Sequence, residues 1–206
     1  MRTDKSAETP LKADLSALSV REYAELLGSD SPSPGGGSAA AAVAALGVSL
    51  AEMTCRINAK RGKSNPDPAK SAENAARLAP LRERLLELVT RDAEVFEAVS
   101  KLWKDQTPEL EPALEAASAV PLEIASLCVQ ALAISQTEIY RTSQHLISDL
   151  IESAVVLEAA FSAACLNVEI NLKAMKNITL PQRARGTLAE LANKVGEAAN
   201  AFAKMR

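Results

Sequence analysis

Apolar positions recur at three- and four-residue spacing along nearly the whole chain, a periodicity that predicts helices from end to end. Residues 1–12 are polar and read as a loose tail. Leu11, Leu15 and Leu18, then Tyr23, Leu26 and Leu27, outline a first helix. Ser19 followed by Glu22 forms a capping-box pattern, and Gly28 is placed to end the helix. Residues 29–38, SDSPSPGGGS, must be loop. From Ser38 to about Arg61 small residues dominate, with Val43, Leu46, Leu50, Met53 and Ile57 as a helical stripe. So thin a coat allows close approach on several sides and predicts a central helix. After a loop at 61–68 comes an amphipathic helix over about 69–104, with Leu78, Leu81, Leu85, Leu88, Val89, Phe96 and Val99 inward. Pro80 kinks or divides it. Further helices are expected over about 109–140 (with Pro121), 147–175 and 180–205. The expectation is one all-α domain of about six helices over residues 13–206.

Composition agrees with helices. Alanine accounts for 39 of 206 residues against six aromatics, and alanine favours helix over strand. The net charge of −3, without long like-charge runs, gives no support for nucleic-acid binding. A single histidine, His145, leaves no histidine-rich zinc site. Cys55, Cys128 and Cys165 lie in apolar helical patterns, as core thiols of a reducing cytoplasm do. The polar N-terminus lacks a signal-peptide pattern. The uncharged stretch Ser31–Ala51, mostly alanine, reads as too weakly apolar for a good membrane span.

Several residues could carry chemistry. Pro34-Gly35-Gly36-Gly37-Ser38 precedes a helix, where outward amides and the helix N-terminus would make an anion site; a flexible turn capped by Ser38 is the plainer reading of the local pattern. Asn167 and Asn171 share a face behind Ala160, Ala163 and Ala164, and amides there need partners or line a polar pocket. Asp149 is about 27 Å from Asn167 along a straight helix at ~1.5 Å per residue. The two therefore serve distant parts of a long ligand, or one site borrows residues across a symmetric interface. Asp92, among Val89, Phe96 and Val99, is either a half-exposed surface carboxylate or a group with a role. Glu123 after Pro121 suits an exposed first turn. His145, polar on both sides, reads as a surface residue available for proton transfer.

Four stretches together resemble the cyclodeaminase/cyclohydrolase family of folate enzymes: SPSPGGGSAAAAVAALGVSLAEM (31–53), RDAEVFEAV (91–99), AVPLEIA (119–125) and SDLIESAVVLEAAFSAACLNVEINLKAMKN (148–177). The resemblance implies an all-helical subunit, a homodimer, and a tetrahydrofolate derivative bound as substrate with no metal or other cofactor. Carried over by position, it marks Pro34, Gly35, Gly36, Gly37, Ser38, Asp92, Ser148, Asp149, Asn167 and Asn171. The chain departs from the family at Arg141–His145, where a Gly-Asn pair is usual, and across Trp103–Pro112.

On this resemblance the expected reaction is hydrolysis of 5,10-methenyltetrahydrofolate to 10-formyltetrahydrofolate. The absence of room for a transferase domain tilts the choice this way. Alternatives are formimidoyltetrahydrofolate cyclodeamination with release of ammonia, or a non-catalytic folate-binding scaffold. Asp92 or Asp149 would be the base, with His145 next in line. Asn167 and Asn171 would hold the pterin edge or the adduct oxygen. Gly35–Ser38 would hold the anionic glutamate tail, with Pro34 and Ser148 also at the substrate. A cytoplasmic homodimer with no nucleic-acid or membrane partner completes the expectation.

Overall fold

The computed structural model describes residues 14–177 and 179–205; the expected tail at 1–12 lies outside them. Six α-helices carry the fold: α1 (Val20–Leu27), α2 (Gly36–Lys60), α3 (Pro68–Trp103), α4 (Leu110–Glu138), α5 (Ile147–Ala174) and α6 (Thr179–Ala203). Short 3-10 turns at Leu15–Ala17, Gly62–Ser64 and Ile139–Arg141 complete the regular structure, and the described residues contain no strand.

Local chemistry sets the helix ends. The Ser19 hydroxyl accepts the Glu22 N–H at 3.3 Å while the Glu22 carboxylate accepts the Ser19 N–H at 2.8 Å, the reciprocal box expected from sequence. Asp67 caps α3 by accepting the Lys70 N–H, with Pro68 in the first turn where its missing N–H is harmless. α3 and α4 each run through their internal proline, Pro80 and Pro121, without ending there. α2 starts at Gly36 rather than Ser38; Gly35 is its N-cap and makes no side-chain cap bond.

α2 packs against α3, α4 and α5, while α4 packs against α2, α3, α5 and α6. The contacts fix the directions. Gly36 lies beside Asn167 and Gly47 beside Leu157, so α5 runs antiparallel to α2. Gly37 meets Asp92 and Glu52 meets Arg82, so α3 is antiparallel as well. A Cβ at Gly47 would stand 2.9 Å from Leu157 Cγ, so glycine permits the α2–α5 approach. The buried face of α2 is its small one: Ala40, Ala41, Ala44, Ala45, Val48, Ala51 and Cys55.

That arrangement turns the larger stripe of α2 outward. Val43, Leu46, Met53 and Ile57 are exposed, Leu46 by 64%, because neighbouring helices close on the alanine face. Phe96, expected inward, is also exposed. By length and composition alone, α2, α5 and α4 with its 3-10 extension are each long and apolar enough to cross a membrane, which corrects the reading of Ser31–Ala51 as too weakly apolar.

Candidate functional site

Four antiparallel helices leave two bundle ends. At one end the N-termini of α2 and α4 meet the C-terminal halves of α3 and α5, around a cavity of about 680 Å³. Gly35, Gly36, Gly37, Asp92, Asn167 and Asn171 all line it. Of the other residues marked from sequence, Pro34 and Ser38 are buried next to the glycines without lining the cavity. Ser148, Asp149 and His145 lie at the opposite end, around the start of α5, with His145 and Ser148 exposed.

The glycine run has a specific use at Gly37. A Cβ there would fall 2.1 Å from Asp92 Oδ1 and 2.5 Å from its Cγ, so the carboxylate occupies the space that any side chain would fill. Asp92 also accepts the backbone N–H of Ser38. The anion at the start of α2 is thus supplied by α3 itself, at a helix end whose free N–H groups attract negative charge. Burial pushes the Asp92 carboxyl above the ordinary carboxylate range, and the Ser38 N–H only partly offsets it. A carboxyl so placed is suited to exchange a proton with a bound ligand.

Behind Ser38 stands Tyr23 of α1, whose hydroxyl lies 2.8 Å from the Ser38 hydroxyl. Burial raises the phenol pKa against that hydrogen bond, and the charge of Asp92 adds to the rise. Sequence reading treated Tyr23 only as part of an apolar pattern. The signal available was its phenol, which needs a partner when partly buried.

The two asparagines spend their amide nitrogens on backbone. Asn167 Nδ2 donates to the Ala163 carbonyl at 2.9 Å, and Asn171 Nδ2 donates to the Ala117 carbonyl of α4 at 2.7 Å. Neither Oδ1 accepts a hydrogen bond among the described residues, and Asn167 Oδ1 is 3.6 Å from the position of a Gly36 Cβ. The inner cavity therefore presents acceptors: one carboxylate and two amide oxygens. It suits a ligand that is cationic or rich in N–H donors. Phe96, Val99 and Trp103 of α3 extend its wall outward, Trp103 being half exposed, and Lys104 stands at the mouth. Among the described residues no three His, Cys, Asp or Glu side chains come together as a metal site needs.

Residues 19–190 match the sequence model of the family described as formiminotransferase-cyclodeaminase. The methenyltetrahydrofolate cyclohydrolase of Methylorubrum extorquens is 25% identical over 166 residues, covering 76% of this chain and 80% of that protein. The formimidoyltransferase-cyclodeaminase of Rattus norvegicus is 33% identical over 188 residues. That match takes in 84% of this chain and 34% of the rat protein, so the chain spans about a third of that relative's length. Among solved structures, formiminotetrahydrofolate cyclodeaminase from Thermotoga maritima superposes with a TM-score of 0.88 at 26% identity, covering 92% of this chain and 96% of that one.

Proposed function

The chain belongs to the formiminotransferase-cyclodeaminase family of folate-processing enzymes, and from that premise we propose that it cyclises 5-formiminotetrahydrofolate to 5,10-methenyltetrahydrofolate with release of ammonia. The cyclohydrolase expected from sequence becomes the second reading. Supporting the cyclodeaminase are the cover of almost the whole Thermotoga cyclodeaminase and the higher identity to the rat enzyme. The Methylorubrum relative, matched over most of its own length, keeps the cyclohydrolase in view.

The observation that carries the chemistry is the Asp92 carboxyl, seated on Gly37 in an acceptor-lined cavity. The formimino group is an amidinium cation when protonated. Asp92 stabilises that cation and takes the N10 proton as N10 attacks the formimino carbon. The same proton passes to the amino nitrogen of the tetrahedral adduct, and ammonia leaves as the methenyl cation forms. Asn167 and Asn171 accept from the N–H groups of the pterin or of the adduct, fixing N10 against the carbon. The substrate amidinium and the product methenyl group each carry one positive charge, so an acceptor-lined site serves both ends of the step. The same adduct logic, with water in place of N10, would serve hydrolysis.

The outward stripe of α2 supports association of two copies. Its apolar positions fall seven and four residues before Leu50 and three and seven after it, so an antiparallel copy would meet a pattern that matches to within one residue. We place the enzyme in the cytoplasm, in keeping with three free cysteines, of which Cys55 and Cys128 are buried.

Purified protein given 5-formiminotetrahydrofolate should produce ammonia and methenyl absorbance in equal amounts. Given 5,10-methenyltetrahydrofolate alone, it should leave that absorbance to decay at the buffer rate. The reverse pattern would hand the assignment to the cyclohydrolase.

A further inference from the structure

The first turn of α2 has no cap of its own to hold it. Its N-cap, Gly35, makes no side-chain bond, and the next two residues are glycines. Glycine leaves the backbone more conformations than any other residue, so a helix start built this way is weakly determined by its own chain. Ala39 N–H donates to the Gly35 carbonyl at 3.0 Å as the helix begins, and the Ser38 N–H has no acceptor inside the helix. That N–H is the one Asp92 accepts. The aim of the bond therefore depends on what steadies Ser38 from outside.

Ser38 is the first residue of α2 with a side chain, and it is 0% exposed. Among the described residues its hydroxyl has one partner, the Tyr23 hydroxyl at 2.8 Å. The Tyr23 N–H donates to the Ser19 carbonyl at 2.9 Å, within the turn that the Ser19–Glu22 box fixes, and its ring packs against the core. Neither Tyr23 nor Ser38 lines the cavity, so both stand behind the groups that do.

We propose that Tyr23 is a positioning residue for the reaction: through the Ser38 hydroxyl it fixes the first turn of α2, so that the Ser38 N–H stays directed at the Asp92 carboxylate. The assignment rests on the reading that gives Asp92 the proton transfer, and deepens it. Few other groups bear on Asp92. Among the described residues lining the cavity only Lys104 is charged besides Asp92; α4 and α5 present Leu114, Ala117, Asn167 and Asn171, and α2 presents glycine. On α3 itself Arg91 pairs with Glu94 and Lys101 with Glu97, while Asp14, beside the 3-10 turn, is held by Ser16 and Thr90. The Tyr23 phenol titrates ordinarily at about 10 and burial pushes it higher, so removing it changes no charge beside Asp92 at neutral pH.

An NMR titration of isotope-labelled aspartate carboxyls reads Asp92 without turnover, with Asp92→Asn identifying the resonance. Burial raises the Asp92 pKa and the Ser38 N–H opposes the rise, so loosening the turn should move the midpoint further up. Tyr23→Phe, which keeps the ring, should raise it by about 0.5, and Ser38→Ala, which keeps the N–H, should do the same. The double variant should go no further than either alone. In turnover, Tyr23→Phe should lower kcat about fivefold with KM changed less than about twofold, and the acid limb of kcat/KM should follow the NMR midpoint. In the Asp92→Asn background the same substitution should leave the remaining rate within about twofold. An unmoved Asp92 midpoint in Tyr23→Phe, or additive shifts in the double variant, would overturn the positioning role. So would a further large fall in the rate of the Asp92→Asn protein. A wild type that turns over neither folate would defeat the folate reading alone, since the NMR titration decides the coupling of Tyr23 to Asp92 without it.

Discussion

Each end of the α2–α5 bundle holds a carboxylate beside asparagines, and the two ends use it differently. At the cavity end Asp92 meets one backbone N–H and faces a space of about 680 Å³. At the other end Glu138 of α4 is 0% exposed and is held from three sides. Asn58 Nδ2 of α2 donates to it at 3.1 Å, with Ser71 Oγ at 2.9 Å and Asn74 Nδ2 at 2.6 Å from α3. Asn58 also donates to Thr142 at 2.9 Å, and Asn65 donates to Ser71 at 3.0 Å. Glu138 thereby ties α2, α3 and α4 together, whereas Asp92 keeps capacity for a ligand. The residue types match; what differs is whether the packing leaves acceptors open. A buried carboxylate whose donors all come from the protein is a structural tie, and one left short of donors is free to do chemistry.

The largest effect should come from breaking the closed end. Glu138→Ala leaves the Asn58, Ser71 and Asn74 donors without their acceptor, and at about 1–3 kcal/mol for each unsatisfied group the loss of stability should be about 3 kcal/mol or more. Urea denaturation measures it, and the molecules still folded should keep kcat/KM within about threefold. Full stability in that variant would dissolve the distinction between the ends.

Next comes the open end. Asp92→Asn should lower kcat/KM by about 100-fold or more while leaving helicity intact. Its stability should move the other way. The folded carboxyl pKa lies above its unfolded value, so the stabilising contribution is complete below the unfolded pKa, near 4, and is lost as pH rises through the folded one. At neutral pH the asparagine variant should therefore melt no lower than the wild type, and its advantage should disappear below about pH 4. An Asp92→Asn protein that is active, or clearly less stable at neutral pH, would make Asp92 another tie.

The smallest effects are expected at Asp149 and His145, placed at the closed end within one chain. Asp149→Asn and His145→Gln should each change kcat/KM by no more than about threefold. A loss comparable to that of Asp92→Asn would mean that a second copy delivers them, and sedimentation equilibrium would then have to show dimer at working concentrations.

The open end was partly legible in sequence because its residues sit in local patterns: a glycine run before a helix, asparagines four apart, an aspartate one turn before Phe96. The closed end was not, since Asn58, Ser71 and Asn74 are 80, 67 and 64 residues from Glu138 and each looks locally like an ordinary helix residue. Helix count, capping box and the limits of α5 followed from periodicity. The facing of α2 did not, because its hydrophobic stripe points outward; close packing selected the smallest side chains over the most apolar ones. Tyr23 escaped notice for the same reason as Glu138, its partner being fixed by tertiary packing.

The hydrogen bond between Tyr23 and Ser38 ties the backing of the Asp92 cradle to the breathing of α1. That helix has eight residues, none buried, and its side chains rest only partly on the core. Segments of this kind exchange their amide hydrogens through local openings far easier than global unfolding. Each opening of α1 removes the phenol from Ser38 and wets the hydroxyl on the far side of the Asp92 cradle, while the α2–α5 bundle stays closed. The backing of the Asp92 cradle thus opens with α1, a far smaller unit than the bundle that holds the cavity.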